Sequence, residues 1–262
     1  MELFVLIILF GLIIGSFLNC LIWRLYAGET LLGRSYCPHC RVNIGWYDNI
    51  PFLSYLILLG KCRHCRKSIH WHYPLVEVLT AGIFALVFYY LSRFNGLAFD
   101  WDWTVWLTLA RDLFIVCIFL VILIMDMRWY VVSDLVTIPA IVIITVINLL
   151  LGYSWSIIGL GALVGGGFFL LQYLISRGRW IGDGDIRIGL LLGVFFGWPM
   201  VISSIGLAYG LGAIAGIILL ITRKKKAHSM MPLGSFLAIG GIISIFLGEF
   251  LVNWYLRLIN VL

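Results

Sequence analysis

The sequence carries very little charge for its length. Only 11% of its 262 residues are Asp, Glu, Lys or Arg, whereas 63% are hydrophobic, and the mean hydropathy is +1.07. An average soluble domain has about 25% charged residues, so this composition excludes an ordinary soluble protein. It predicts a polytopic membrane protein, which satisfies its backbone inside transmembrane helices.

Several catalytic motifs are also missing. The sequence contains no Gly-x-Ser-x-Gly, no His-Glu-x-x-His and no phosphate-binding Gly-x-x-x-x-Gly-Lys-Ser/Thr loop. These absences argue against a serine hydrolase, a zinc metalloprotease of the common kind and a P-loop nucleotide hydrolase. The opening residues 1–23 lack a basic start and a small-residue cleavage site, so we interpret them as a retained first transmembrane helix rather than a signal peptide.

What the sequence does have is eight apolar runs, which predict an all-α fold with about eight transmembrane helices. The sixth run is short, and it either spans the membrane with a tilt or joins the seventh in a sharp hairpin. The fifth and seventh runs are rich in glycine, which predicts close helix packing for both. The runs are Leu3–Trp23, Pro74–Leu91, Val105–Met125, Leu135–Leu151, Ser156–Ile175, Ile188–Trp198, Met200–Ile221 and Leu233–Leu256.

The positive charges are concentrated in four loops. Fifteen of the 18 Lys and Arg residues lie at 24–67, at Arg128, at 177–187 and at 223–226. Cytoplasmic loops carry the excess of Lys and Arg, so these loops are predicted to lie inside, with both termini outside after eight crossings. The scattered charges do not form the single basic stripe of a nucleic-acid-binding surface, and we expect no nucleic-acid partner.

Four of the six cysteines form two Cys-x-x-Cys pairs, Cys37 with Cys40 and Cys62 with Cys65, separated by 21 residues. This spacing is typical of a tetrahedral Zn²⁺ site with four thiolate ligands. A loop of this size has a small core, and a bound metal would stabilise it. Two disulfides are the alternative, but a reducing cytosol disfavours them. We therefore predict a cytoplasmic zinc-binding domain over residues 24–73, between helices 1 and 2.

Two aspartates are expected where apolar runs meet water on the same side of the membrane. Asp126 ends the third long run, and Asp185 closes Gly182-Asp-Gly-Asp185 just before the sixth. Carboxylates at membrane depth are costly and therefore point to function. A pair of them can share a proton and work as acid and base. The simpler alternatives are a helix-end carboxylate paired with Arg128 and a polar turn.

Two further carboxylates have structural explanations. Asp134, with Ser133, can cap the next helix, and Glu77 lies in a first helical turn that favours negative charge. Both remain candidates for residues that support the aspartate pair or take part in a second activity.

An ordered set of motifs resembles the bacterial type IV prepilin peptidases, a family of Gly-x-Gly-Asp aspartyl proteases, over nearly the whole chain. Asp126 and Asp185 match the two catalytic aspartates of that family. Arg187, after the second, replaces a frequent Lys. The other matching segments are Gly15–Asn19 with Arg24, Cys37-Pro-x-Cys40, Asn49-Ile-Pro51, Ser54-Tyr-Leu56, Gly60-Lys-Cys-Arg63, Tyr73-Pro-x-x-Glu77, Gly182-Asp-Gly-Asp185 and Pro232-Leu-Gly-Ser-Phe236.

The resemblance implies an endopeptidase in the bacterial inner membrane with its catalytic site facing the cytoplasm. It would cleave prepilins or pseudopilins, which have a basic leader and an apolar helix, after a glycine. Many members then methylate the new N-terminus with S-adenosylmethionine. Residues 74–262 would form the peptidase domain with seven helices, and a homo-oligomer is one assembly compatible with the family. Gly182 and Gly184 would let the backbone approach an extended substrate.

Three alternatives remain at this point. The first is an intramembrane protease of the presenilin kind, which shares Gly-x-Gly-Asp but not the loop with four cysteines. The second is a zinc-stapled membrane transporter or scaffold with its carboxylates in an ion path. The third is a member that retains only the methyltransferase, against which the two intact aspartates weigh.

Overall fold

A computed structural model describes residues 2–94, 102–222 and 231–258. The described residues form helices, with a long and largely irregular segment between the first two long ones, and the predicted all-α fold is confirmed. Two isolated β-bridges and one 3₁₀ turn, Trp46–Asp48, lie between the first two long helices. The helices are α1 (Glu2–Ala27), α2 (Leu53–Ile57), α3 (His72–Phe94), α4 (Trp103–Trp129), α5 (Asp134–Leu150), α6 (Trp155–Ser176), α7 (Asp183–Phe196), α8 (Val201–Ile221) and α9 (Leu233–Leu258).

Six of these helices are long and apolar enough to cross a membrane, namely α1, α3, α4, α6, α8 and α9. The other two predicted runs became the shorter helices α5, with 17 residues, and α7, with 14. At about 1.5 Å per residue, α7 is only about 21 Å long, which is less than the hydrocarbon core. The prediction of eight spans is therefore not exact, because the polar Gly-Asp motif takes up the first turn of α7 and leaves it too short to cross.

Contacts divide the chain into two compact units, Met1–Asp100 and Trp101–Leu262. In the first unit α1 and α3 run side by side in opposite directions. A Cβ added to Gly11 would lie 2.6 Å from the Ala81 Cα, and one added to Gly15 would lie 2.6 Å from the Glu77 Cα. Glycine is needed at both positions because the two backbones approach this closely.

In the second unit α7 is the central helix, in contact with α5, α6, α8 and α9. Most of its residues from Gly184 onward are buried. A Cβ on Gly161 of α6 would overlap the carbonyl oxygen of Gly193, and one on Gly165 would overlap that of Gly189. These glycines allow α6 and α7 to pack backbone against backbone, as predicted for the glycine-rich fifth run.

The glycines of α8 behave differently. A Cβ on Gly206 or Gly210 would meet no atom within 4 Å, and one on Gly212 would meet the Phe236 ring at ordinary contact distance. The close packing predicted for the seventh run is therefore wrong at Gly206 and Gly210. These two positions leave a strip of exposed backbone on one face of α8.

A buried polar cluster joins α4, α5 and α7. Arg111 donates to Asp112 at 2.9 Å and to the Asn148 side chain at 2.9 Å, and Asn148 donates to the carbonyl oxygen of Val194 at 2.8 Å. Each buried polar group in this cluster thus has a partner, as a low-dielectric interior requires. The cluster anchors the C-terminal half of α7. The basic run 223–226 lies outside the described residues.

Candidate active site and metal centre

Asp126 lies in the last turn of α4, where the helix ends at Trp129 and Tyr130 takes a left-handed conformation. Its side chain is buried, and its Oδ2 accepts two hydrogen bonds from Ser235, one from the backbone N–H at 2.6 Å and one from the hydroxyl at 2.9 Å. Ser235 is the third residue of α9, whose first N–H groups have no partner within their own helix. The positive end of α9 therefore points at Asp126.

Asp185 is held in a similar way by a helix N-terminus. It is the third residue of α7, and its Oδ2 accepts a hydrogen bond of 3.1 Å from the backbone N–H of the N-cap residue Gly182. The side chain is buried although it lies in a first helical turn. Both aspartates are thus buried carboxyl groups whose Oδ2 is bound by backbone N–H groups at the start of a helix.

Gly234 shows that the two aspartates are brought together. A Cβ at this position would lie 3.1 Å from the Asp126 Oδ2 and 2.9 Å from the Ile188 Cδ1. Ile188 follows Asp185 by one helical turn on the same face of α7. Asp126 therefore lies beside the first turns of α7, which carry Asp185. That these two residues, 59 positions apart, act as a catalytic pair stays a prediction.

The two glycines of the motif have different surroundings. Gly184 is buried, and a Cβ there would lie 2.8 Å from the Val132 side chain, so this glycine lets the connection between α4 and α5 pack on α7. Gly182 is exposed and has open space around it, with the closest atoms 3.8 Å from an added Cβ. Close approach of a substrate backbone stays a prediction, and Gly182 has the space for it.

Asp134 lies beside this site, in an ion pair. It is the first residue of α5, and its carboxylate pairs with Arg187, which also donates to Asp183 at 2.6 Å. Arg187 thus ties the start of α5 to the first turn of α7. Ser133 occupies the N-cap position, but its side chain makes no cap hydrogen bond. We interpret Asp134 as a residue that positions the motif.

Glu77 lies in the first unit, on α3. The predicted position in a first helical turn is wrong, because the helix begins at His72 and Glu77 is its sixth residue. It is buried, and its carboxylate accepts a hydrogen bond of 2.7 Å from the backbone N–H of Phe52. Phe52 precedes the short helix α2 and has a positive φ of 60°, which a residue with a side chain rarely adopts. Glu77 therefore connects α3 to the cysteine-containing segment. A role in methylation stays a prediction.

The two Cys-x-x-Cys pairs fold into matching turns. In the first, the Cys37 N–H donates to the Val42 carbonyl and the Arg41 N–H to the Cys37 carbonyl; in the second, the same pattern joins Cys62 with Lys67 and Arg66. Arg41 and Arg66 both have a positive φ, of 58° and 56°. Each turn ends in a β-bridge, Tyr36 with Asn43 and Lys61 with Ser68.

The four sulfur atoms fit a zinc ion. They lie within 4.8 Å of one another, and the Sγ atoms of Cys37 and Cys65 are 3.8 Å apart. A tetrahedral site with Zn–S bonds of about 2.3 Å requires sulfurs about 3.8 Å apart.

Burial raises the pKa of the Cys37 thiol, but the N–H groups of Cys40 and His39, together with the Cys40 and Cys62 thiols, lower it to about 7. The Lys67 N–H lowers the pKa of Cys65, but burial and hydrogen bonds with the other three thiols outweigh this effect and raise the pKa to about 11. The spacing of the four sulfurs is therefore what allows the cluster to hold a metal ion.

A bidentate ion pair supports the second turn. Arg63 donates to Asp48 from Nε at 2.8 Å and from a terminal nitrogen at 2.6 Å. This bond holds the pKa of the Asp48 carboxyl below its usual value. The Asp48 side chain is only 10% exposed, whereas that of Arg63 is 48% exposed. The pair joins the 3₁₀ turn to the residue that follows Cys62.

Sequence reasoning missed two parts of this arrangement. It gave Gly234 and Ser235 no role, although Pro232-Leu-Gly-Ser-Phe236 was one of the motifs that carried the resemblance. It also missed that Arg187 joins Asp134 to Asp183. The signal for the first was the motif itself, which is polar and small just before an apolar helix. For the second, the spacing of Asp183 and Arg187 by four residues is a local helical signal, whereas the pair with Asp134 is a property of the fold.

Two family models match the chain. The Bacterial Peptidase A24 N-terminal domain matches residues 9–91, which include the four clustered cysteines and Glu77. The Type IV leader peptidase family matches residues 113–222, which include Asp126 and Asp185. The two matches fall on either side of the connection between α3 and α4.

Curated relatives match almost the full length. A prepilin leader peptidase/N-methyltransferase of Aeromonas salmonicida is 31% identical over 98% of this chain and 94% of its own. One of Pseudomonas aeruginosa is 30% identical over 95% and 92%, and one of Legionella pneumophila is 27% identical over 95% and 92%. No solved structure matches the chain. With both domain models and relatives of this coverage in agreement, the chain belongs to the type IV leader peptidase family.

Proposed function

We propose that this chain is a membrane aspartyl endopeptidase that removes the leader peptide of prepilins or pseudopilins after a glycine and then methylates the new N-terminus. The observation that supports the proposal is that two buried carboxylates lie at the same end of the second unit, Asp126 in the last turn of α4 and Asp185 in the first turn of α7. Family membership and the names of the relatives supply the substrate class.

The two carboxylates have the contacts that an acid–base pair needs. Among the described contacts, each is held through Oδ2, which leaves the Oδ1 atoms for a water molecule between them. In the first step, the ionised carboxylate takes a proton from the water. The water oxygen bonds to the scissile carbonyl carbon, and the C=O π electrons move to the carbonyl oxygen. The C=O bond then re-forms as the C–N bond breaks, and the protonated partner donates its proton to the leaving amine. The pair ends the cycle with one proton, and it titrates as a unit.

The site is proposed to face the cytoplasm because of the charges on either side of it. The second unit has one end at which the aspartates lie. At this end, Arg128 lies in the last turn of α4, and Arg177 and Arg179 lie in the connection between α6 and α7. At the opposite end, the connections 151–154 and 197–200 carry no charged residue. Positively charged connections remain in the cytoplasm, so this asymmetry supports a location of the aspartates on the inner side of the bacterial inner membrane.

The cysteine cluster is proposed to hold Zn²⁺ through Cys37, Cys40, Cys62 and Cys65. Four thiolate ligands close the coordination shell, so the metal would stabilise the fold of residues 24–73 rather than act on substrate. We assign these residues to a cytoplasmic domain, with residues 1–23 as the first transmembrane helix and residues 74–262 as the peptidase domain. The names of the relatives include N-methyltransferase, and S-adenosylmethionine would be the methyl donor that the family resemblance implies.

The proposal is tested by incubating the purified chain in lipid with a prepilin and S-adenosylmethionine. Mass spectrometry of the product then reads the cleavage position and any added methyl group. Cleavage after glycine by the wild type, lost in Asp126→Asn and in Asp185→Asn, is the expected result. If the prepilin stays intact after incubation with folded, zinc-loaded wild-type protein, the result contradicts the proposal and favours the transporter or scaffold alternative. Cleavage without the methyl mass would restrict the function to the peptidase.

A further inference from the structure

An apolar groove of about 320 Å³ runs along the second unit between α6 and α8. Its walls come from Val164 and Phe168 on one helix and from Ile202, Ile205, Gly206 and Tyr209 on the other. The groove is open, and the Phe168 and Ile202 side chains are 41% and 52% exposed. Contacts between α6 and α8 are few compared with those that either makes with its other neighbour, so the two helices diverge along this face.

The Tyr209 end of the groove is connected to the candidate active site through contacts of the Phe169 ring. Gly189 follows Asp185 by one helical turn, and a Cβ on Gly189 would overlap the Phe169 ring. Phe169 in turn stacks on Tyr209, with ring centroids 6.3 Å apart. The Tyr209 hydroxyl donates to the Gln172 side chain at 3.0 Å. The groove therefore has a polar end, at the Tyr209 hydroxyl and Gln172, on the side of the aspartates, and the rest of its lining is apolar.

The direction of the groove follows from the helices. The α8 residues that line it, from Ile202 to Tyr209, cover about 10 Å along the helix axis. Tyr209 is nearest the end of the unit that holds the aspartates, and Ile202 lies near the uncharged connection 197–200. Gly206, in the middle, has no side chain and open space in front of it. A second helix could lie against α8 here at close range, as small residues allow in membranes.

We propose that this groove holds the apolar helix of the prepilin immediately after the scissile bond. The inference rests on the proposed function and adds the substrate-docking surface to it. The chemistry of the substrate matches the groove in order, because a polar segment to be cut is followed directly by an apolar helix. Docking of this helix positions the scissile bond at Asp126 and Asp185 and uses binding energy remote from the reacting atoms.

Gly206→Leu fills the groove and tests the proposal when two substrates are compared. One is a complete prepilin, and the other is a peptide that contains the leader and the cleavage site but lacks the apolar helix. The readout is the ratio of kcat/KM for the prepilin to that for the peptide. We expect Gly206→Leu to lower this ratio by about tenfold or more. Gly159→Leu is the matched control, because Gly159 on α6 also has open space but does not line the groove.

The outcomes separate the two claims. An unchanged ratio in Gly206→Leu, with both substrates cleaved, overturns the docking surface and leaves the peptidase function intact. No cleavage of either substrate by the wild type overturns the proposed function and the docking surface with it.

Photocrosslinking gives a second test that does not depend on how Gly206→Leu folds. A benzophenone amino acid is placed at Ile205, which lines the groove, or at Ile217, which is 56% exposed on another part of α8. The Asp185→Asn substitution keeps the prepilin uncleaved. Crosslinks from position 205 to the apolar helix of the prepilin, absent from position 217, are expected. Crosslinks from position 205 only to lipid or to a second copy of the chain would overturn the proposal.

Discussion

Ser235 binds the same oxygen of Asp126 twice, through its backbone N–H at 2.6 Å and its hydroxyl at 2.9 Å. The hydroxyl also lies 3.3 Å from the Leu123 carbonyl oxygen. A hydroxyl has one proton but can accept as well as donate. When Asp126 is ionised, Ser235 donates to it. When Asp126 is protonated, it can donate to the Ser235 oxygen, whose proton then goes to Leu123.

This arrangement lets one residue serve both protonation states of the Asp126 carboxyl group, which we propose to be catalytic. An acid–base pair alternates between those states in each turnover. We therefore regard Ser235 as a positioning residue that keeps Asp126 in one orientation while its proton comes and goes. The backbone N–H bond remains in either state.

Replacing Ser235 by Ala should lower kcat by about tenfold while leaving KM for prepilin close to that of the wild type. The variant loses one bond to a buried charged group but keeps the N–H bond, and a bond of this kind contributes about 1.5–3 kcal/mol. Steady-state kinetics measure both constants. Ser235→Thr, which keeps a hydroxyl, should recover part of the loss. A wild-type kcat in Ser235→Ala would contradict this role.

Gly234→Ala should reduce cleavage by about 100-fold, because its Cβ would press against both the Asp126 carboxyl and Ile188. A displacement of about 1 Å in a catalytic group can cost this much. Gly159→Ala is the control, since its Cβ meets no atom within 4 Å and alanine favours the helix. Cleavage rates are compared at equal content of folded protein. Equal rates in the two variants would show that Gly234 does not set the distance between the carboxyl groups.

The purified wild type should contain about one zinc ion per chain, and Cys62→Ser should lose most of it, because three thiolates and a water bind zinc less tightly than four thiolates. Elemental analysis by mass spectrometry measures the metal. Cys20→Ser is the matched control, since Cys20 lies in α1 outside the cluster. Full zinc content in Cys62→Ser would argue against a four-cysteine site.

Asp48→Asn should weaken the second cysteine turn at neutral pH but not in acid. Because the folded-state pKa of Asp48 is lowered by Arg63, its stabilisation is fully present above the unfolded pKa. It is lost as the pH falls through the lower, folded-state pKa. Hydrogen exchange of the amides at residues 62–67 measures the stability of this turn. Wild type and variant are compared at each pH, because protonation of the cysteine thiolates then affects both proteins equally. A difference that persists or grows in acid would contradict the assignment.

Local patterns were sufficient for much of this molecule. The apolar runs predicted the helices, and the spacing of Cys37, Cys40, Cys62 and Cys65 predicted a cluster that the fold assembles. An apolar run is continuous in the sequence, and each Cys-x-x-Cys pair lies within four residues and occurs twice. Both kinds of signal can therefore be recognised without knowledge of the fold. The pairing of Asp126 with Asp185 needed the family resemblance as well, because each aspartate alone has a simpler explanation.

Long-range partners were beyond sequence reasoning for a physical reason. Ser235 lies 109 positions from Asp126 and meets it only because α9 begins beside the end of α4. Arg111 lies inside the third apolar run, and only the fold shows that it is buried against Asn148, 37 positions away. The glycines of α6 and α8 look alike in sequence, but Gly161 and Gly165 of α6 pack against the backbone of α7, whereas Gly206 and Gly210 of α8 have open space.

The central claim is that Asp126 and Asp185 act as one unit, and the double substitution tests it most directly. The measurement is kcat/KM for prepilin cleavage in Asp126→Asn, in Asp185→Asn and in the variant with both. We predict that each single variant loses at least about 100-fold and that the double variant loses no more than the worse of the two. Wild-type turnover in either single variant, or losses that multiply in the double variant, would contradict the account.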